Sequence, residues 1–112
     1  MNKLGMAGLL KQAQKMQKEM EKAQANLVNI KVEGSAGGGM VTAIANAAQE
    51  LLEIKLEPEV VDPGDVEMLE DLILVAVNQA MGAAKARAEE EMGKVTGGMM
   101  PGMLGKLKIP GL

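Results

Sequence analysis

Lys11, Lys15, Lys18 and Lys22 recur at intervals of four, three and four residues, which places four ammonium groups on one face of an α-helix. The row spans about 16 Å at 1.5 Å per residue, a length comparable to several phosphates along one strand. Only Glu19 and Glu21 interrupt it, so the face suits a phosphate-bearing partner rather than an acid/base reaction. A second basic group, Lys85, Arg87 and Lys94, lies towards the other end of the chain.

The inventory of reactive groups argues against catalysis. The chain has no His or Cys and no Phe, Tyr or Trp, and its only side-chain hydroxyls are Ser35, Thr42 and Thr96. The common general base, the thiol nucleophile and the usual zinc ligands are therefore missing, and no metal or cofactor is expected. Without aromatic rings the chain cannot stack nucleobases as single-strand-binding surfaces do. Arginine is the side chain that most often reads guanine edges, and only Arg87 is present. Gln12, Gln14, Gln17 and Gln24 are ordinary exposed helix formers as well as possible base contacts, so little sequence preference is expected.

Other candidates have simpler explanations. Gly37-Gly38-Gly39 lacks a following Lys-Ser/Thr pair and does not open a helix, so it reads as a hairpin turn rather than a phosphate cradle. Asp65, Glu67, Glu70 and Asp71 complement the positive end of a helix without implying a cation. Most of the 11 methionines fall at seam or core spacing, where they fill irregular space.

The 112 residues allow one domain and little more, and 47% hydrophobic against 24% charged residues is a globular balance. The net charge of −3 is unevenly spread: residues 1–27 carry +3, residues 28–83 carry −8 and residues 84–112 carry +2. Two basic ends thus flank an acidic middle. The longest aliphatic run, residues 72–77, is far short of the roughly 20 residues that span a bilayer. The N-terminal apolar stretch is broken by Gly5 and Gly8 and ends at Lys11, which does not fit a secretory signal. The expected location is the cytoplasm, with no membrane association and no small-molecule substrate.

The elements that position the lysines follow from periodicity. Met6, Leu9, Ala13, Met16, Met20, Ala23 and Leu27 alternate at spacings of three and four, a narrow heptad seam on a helix over residues 4–27. So short a chain has little else to cover that seam, which points to a second copy and hence a homodimer. Val28, Ile30 and Val32 then alternate with polar residues as a first strand, residues 34–39 follow as a turn, residues 40–45 form a second strand, and Leu52, Ile54 and Leu56 a third, stopped by Pro58. Short loops between them imply an antiparallel meander. Asp62 is placed to cap a second helix, with Pro63 at its first helical position and its end near Gly93. The expected fold is α+β: an α-β-β-β-α subunit in one domain over residues 1–95, followed by a flexible Gly/Met/Pro-rich tail over residues 96–112.

Read in order, these segments resemble the YbaB/EbfC family of bacterial nucleoid-associated proteins. The resemblance rests on Leu10-Lys11-Gln12-Ala13-Gln14-Lys15-Met16-Gln17, on Val32-Glu33-Gly34-Ser35-Ala36-Gly37-Gly38-Gly39-Met40-Val41 and on Met68-Leu69-Glu70-Asp71-Leu72-Ile73. It continues through Val77-Asn78-Gln79-Ala80 and Met92-Gly93-Lys94-Val95-Thr96-Gly97-Gly98-Met99. It implies a tweezer-like homodimer whose first and last helices project and contact double-stranded DNA with little sequence preference, contributing to nucleoid organisation and gene regulation. On this chain those contacts fall to Lys11, Lys15, Lys18 and Lys22, and to Lys85, Arg87 and Lys94. Thr42, Leu52 and Glu53 stand where the family often has basic strand residues, and Glu89-Glu90-Glu91 dilutes the last helix, so helix 1 is the stronger candidate. The competing reading is a protein-interaction module that uses the long helices and the Met-rich tail.

Overall fold

The computed structural model describes residues 2–99, with side chains over residues 5–96. The elements run α1 (Asn2–Asn26), a 3-10 turn (Leu27–Asn29), β1 (Lys31–Ala36), β2 (Val41–Asn46), β3 (Leu51–Leu56), a second 3-10 turn (Pro58–Val60) and α2 (Val66–Met99). This is the α-β-β-β-α order expected of an α+β fold. The chain forms two compact units, residues 27–88 around the sheet and a helical unit whose described residues are 2–26 and 89–99. Residues 100–112, most of the expected tail, lie outside the described residues, whereas residues 96–99 continue α2.

In the sheet unit, the three strands form an antiparallel meander in the order β1-β2-β3. Gly34 pairs with Ala43 and Ala36 with Val41, while Ala43 pairs with Ile54 and Val41 with Leu56. One face of β2 is wholly enclosed, with Val41, Ala43 and Ala45 buried. They cluster with Ala76, Ala80 and Ala84 of α2, whose spacing of four puts three methyl groups on one ridge. Alanine against alanine brings helix and sheet backbones close together. At Gly34 they nearly touch, and a side chain there would meet the Ala76 carbonyl and the Ala80 amide. The next residue, Ser35, donates its backbone N–H to Oε1 of Gln79 at 2.8 Å, tying an edge strand to the helix.

Several boundaries differ from the periodicity reading. The first strand begins at Lys31 rather than Val28, because Leu27–Asn29 winds into a 3-10 turn that buries Leu27 and leaves Val28 exposed. It runs on through Gly34 to Ala36, where a turn was expected: Gly34 marks a close approach of α2, not a reversal. The reversal falls at residues 37–40, where Gly37, Gly38 and Gly39 all have positive φ. The cap of α2 is Asp65 rather than Asp62. Oδ1 of Asp65 accepts the Met68 N–H at 3.2 Å, while Oδ1 of Asp62 accepts the Gly64 N–H and closes the preceding turn.

The turn between β2 and β3 is braced by Asn46, the buried polar residue of the sheet unit, at 2% exposure. Its Nδ2 donates to Oε1 of Glu50 at 2.7 Å and its Oδ1 accepts the Glu50 N–H at 3.1 Å. α2 passes through Gly93, where an end was expected, and reaches Met99. Met92, Val95 and Thr96 remain half-buried on either side of that glycine, so one covered face continues across it.

Candidate nucleic-acid interface

α1 is built mainly from Ala, Gln, Lys, Glu, Leu and Met, all strong helix formers, with no β-branched residue along its 25 positions. Lys11, Lys15, Lys18 and Lys22 are all exposed, as the spacing predicts for one outward face. The residues between them are neutral except for Glu19, which is half-buried, and Glu21. Gln12, Gln14, Gln17 and Gln24 are exposed as well. The face is thus a row of flexible cations beside amides, able to neutralise phosphates and to hydrogen-bond without a fixed pattern.

The second basic group is less uniform. Lys94 lies in the helical unit, and its Nζ donates to Oε2 of Glu91 at 3.0 Å, so part of its charge is already matched. Lys85 and Arg87 belong to the sheet unit. Lys85 is exposed, whereas Arg87 is half-buried with its Nε enclosed by protein. The four α1 lysines and Lys94 therefore share one compact unit, and Lys85 and Arg87 do not.

Charge divides as the structure does. The described residues of the helical unit hold six lysines against five glutamates, a net of +1. The sheet unit holds three lysines and one arginine against ten acids, a net of −6. The acidic pI of the whole chain hides a basic unit.

The apolar seam is covered unevenly. Leu27 is buried in the sheet unit, Met16, Met20 and Ala23 are half-buried, and Met6, Leu9 and Ala13 are exposed. Periodicity alone missed a second uncovered surface, in the sheet unit. Leu52, Ile54 and Leu56 of β3 are 39–47% exposed, and Leu51, Leu74 and Val75 are uncovered too. The signal was present in the alanines of α2: a ridge of Ala76, Ala80 and Ala84 is narrow and shields β2 without reaching across β3.

An open polar pocket of about 310 Å³ is lined by Glu33, Gly34, Ser35, Gly39, Thr42 and Gln79. It has one carboxylate and no second titratable group, so it offers no acid/base pair. Among the described residues, no group of three His, Cys, Asp or Glu is placed to hold a metal ion, and no helix is long and apolar enough to cross a membrane.

Comparison with known proteins follows the same outline. The model of the YbaB/EbfC DNA-binding family matches residues 1–99. A nucleoid-associated protein of Alkaliphilus metalliredigens is 56% identical over 99 residues, covering 88% of this chain and 87% of that one. One from Ruminiclostridium cellulolyticum is 56% identical over 100 residues, covering 88% and 87%. The crystal structure of an uncharacterized protein from Helicobacter pylori superposes with a TM-score of 0.62 at 22% identity, over 76% of this chain and 86% of that one, a likeness of fold.

Proposed function

The chain belongs to the YbaB/EbfC DNA-binding family, and from that premise we propose that it holds duplex DNA, without enzymatic chemistry, through the lysine face of α1. The observation that carries the reading is the exposure of Lys11, Lys15, Lys18 and Lys22 on one face of a continuous helix. Each lysine that meets a phosphate releases condensed counterions, so affinity falls steeply with salt. Lys94 and Lys85 contribute less, the first because Glu91 already engages it. Arg87, half-buried, is poorly presented to a base edge, which fits weak sequence preference.

The working unit is a homodimer, which doubles the lysine row. Its contact surface includes the uncovered apolar residues of β3 and α2, Leu52, Ile54, Leu56 and Leu74, together with the α1 seam. Two basic units held at a fixed spacing would constrain the path of the duplex, and this is the physical basis for a role in nucleoid organisation and gene regulation in the bacterial cytoplasm. That same apolar surface favours a second reading, a module that docks a protein partner. Duplex binding titrated from low to physiological salt separates the two, because a protein-docking module has no steeply salt-dependent affinity for DNA.

A further inference from the structure

The cations of α1 stand in a narrow arc. At about 100° per residue, Lys11, Lys15, Lys18 and Lys22 fall within about 60° of one another around the helix axis. Their neighbours in that direction, Ala7, Gly8, Ala25 and Asn26, are short and exposed, with open space around Gly8. The flanks carry acid instead. Measured from the midline of the row, Glu19 stands about 70° to one side and Glu21 about 90° to the other. Gln12 and Gln14 are the exposed neutral residues beside them, and no described residue on either flank is a cation.

A duplex offers such a row its two grooves and the outside of its backbone. The minor groove, about 6 Å wide, is too narrow for a helix about 10 Å across. The major groove, about 12 Å wide, admits a helix. It turns the leading face of that helix to the base edges and both flanks to the phosphate walls. On α1 the lysines would then face bases while Glu19 and Glu21 faced phosphates, one on each wall. The outside of one backbone strand has neither fault. There the narrow arc meets phosphates, the short residues between the lysines let the helix come close, and the acids stay to the sides.

We infer that α1 lies against the phosphate ridge of one strand and leaves both grooves of the duplex open, an inference that rests on the lysine face as the DNA contact. No lysine of the row reaches a base edge in this arrangement, so the hold is insensitive to sequence for a geometric reason. The bound duplex also stays legible. A ligand or protein seated in a groove shares the DNA with this protein instead of being displaced by it.

The test titrates the intact protein, at fixed low salt, against two duplexes of one length and sequence. One is unmodified, and the other carries glucosylated hydroxymethylcytosine, which fills the major groove with neutral sugar and leaves every phosphate charge in place. The inference expects the two affinities to agree within about twofold, because the phosphates are unchanged. A loss of about tenfold or more on the glucosylated duplex would put α1 in the major groove. That result would overturn the inference while leaving the lysine face as the DNA contact. Glu21→Gln supplies a second measure, at an exposed position. Its affinity is expected to stay within about twofold of the unaltered protein's, whereas a rise of about tenfold would mean that Glu21 faces a phosphate wall and would overturn the inference as well. Absence of binding to the unmodified duplex would overturn the inference and the proposed function together.

Discussion

Gly34 of β1 and Ala80 of α2 are in backbone contact: a methyl group added to Gly34 would overlap the Ala80 amide and the Ala76 carbonyl. Neither obstacle is a side chain that can swing aside. Gly34→Val is therefore expected to destabilise the sheet unit by about 3 kcal/mol or more, read as a lower midpoint in chemical denaturation. Gly38→Ala, at a position with open space but positive φ, is expected to cost about 1 kcal/mol. Equal effects at the two positions would contradict the close-approach account.

Asn46 and Glu50 supply a second check on the sheet. Asn46 is almost wholly buried and its side chain both donates to and accepts from Glu50. Asn46→Ala removes both bonds and strips the buried side of the turn, with an expected loss of about 1–3 kcal/mol in denaturation. Asn46→Asp is expected to be worse than Asn46→Ala at neutral pH, because a carboxylate would face the Glu50 carboxylate.

The β3 surface is tested by charge. Leu52→Lys with Ile54→Lys places two ammonium groups on residues that are 47% and 40% exposed in the single chain, so the subunit is expected to stay folded. Sedimentation is expected to show a shift from dimer to monomer. DNA affinity is expected to fall with it, because each monomer retains only half of the phosphate contacts. A folded, unchanged dimer would move the contact surface elsewhere.

Much of this molecule was legible in its residues. The three-four spacing from Met6 to Ala23 marks α1, and the same arithmetic puts the lysines opposite the seam, where all four are exposed. The reading of Gly34 shifted because a long-range contact overrode a local signal. Gly34 looks like part of the Gly37–Gly39 turn until α2 is laid against it. Asp62 reads as the cap from its place before Pro63, but its side chain closes the preceding turn and leaves Asp65 to meet the Met68 amide. The uncovered face of β3 was hidden for a different reason. Leu52, Ile54 and Leu56 alternate as any half-buried strand does, and alternation does not report how wide the covering helix is.

The lysine row itself is tested by reversal. Lys15→Glu with Lys18→Glu changes two exposed positions in the middle of the row, so thermal stability and dimer mass are expected to hold. Retention on duplex DNA is expected to collapse. Lys94→Ala, which removes a cation already engaged by Glu91, is expected to weaken retention only slightly.

The most direct measurement is the salt dependence of duplex binding by the intact protein. With four lysines engaged on each of two subunits, log K against log salt is expected to fall with a slope of about −7, largely independent of sequence. Absence of binding even at low salt, or binding that salt leaves unchanged, would contradict the account.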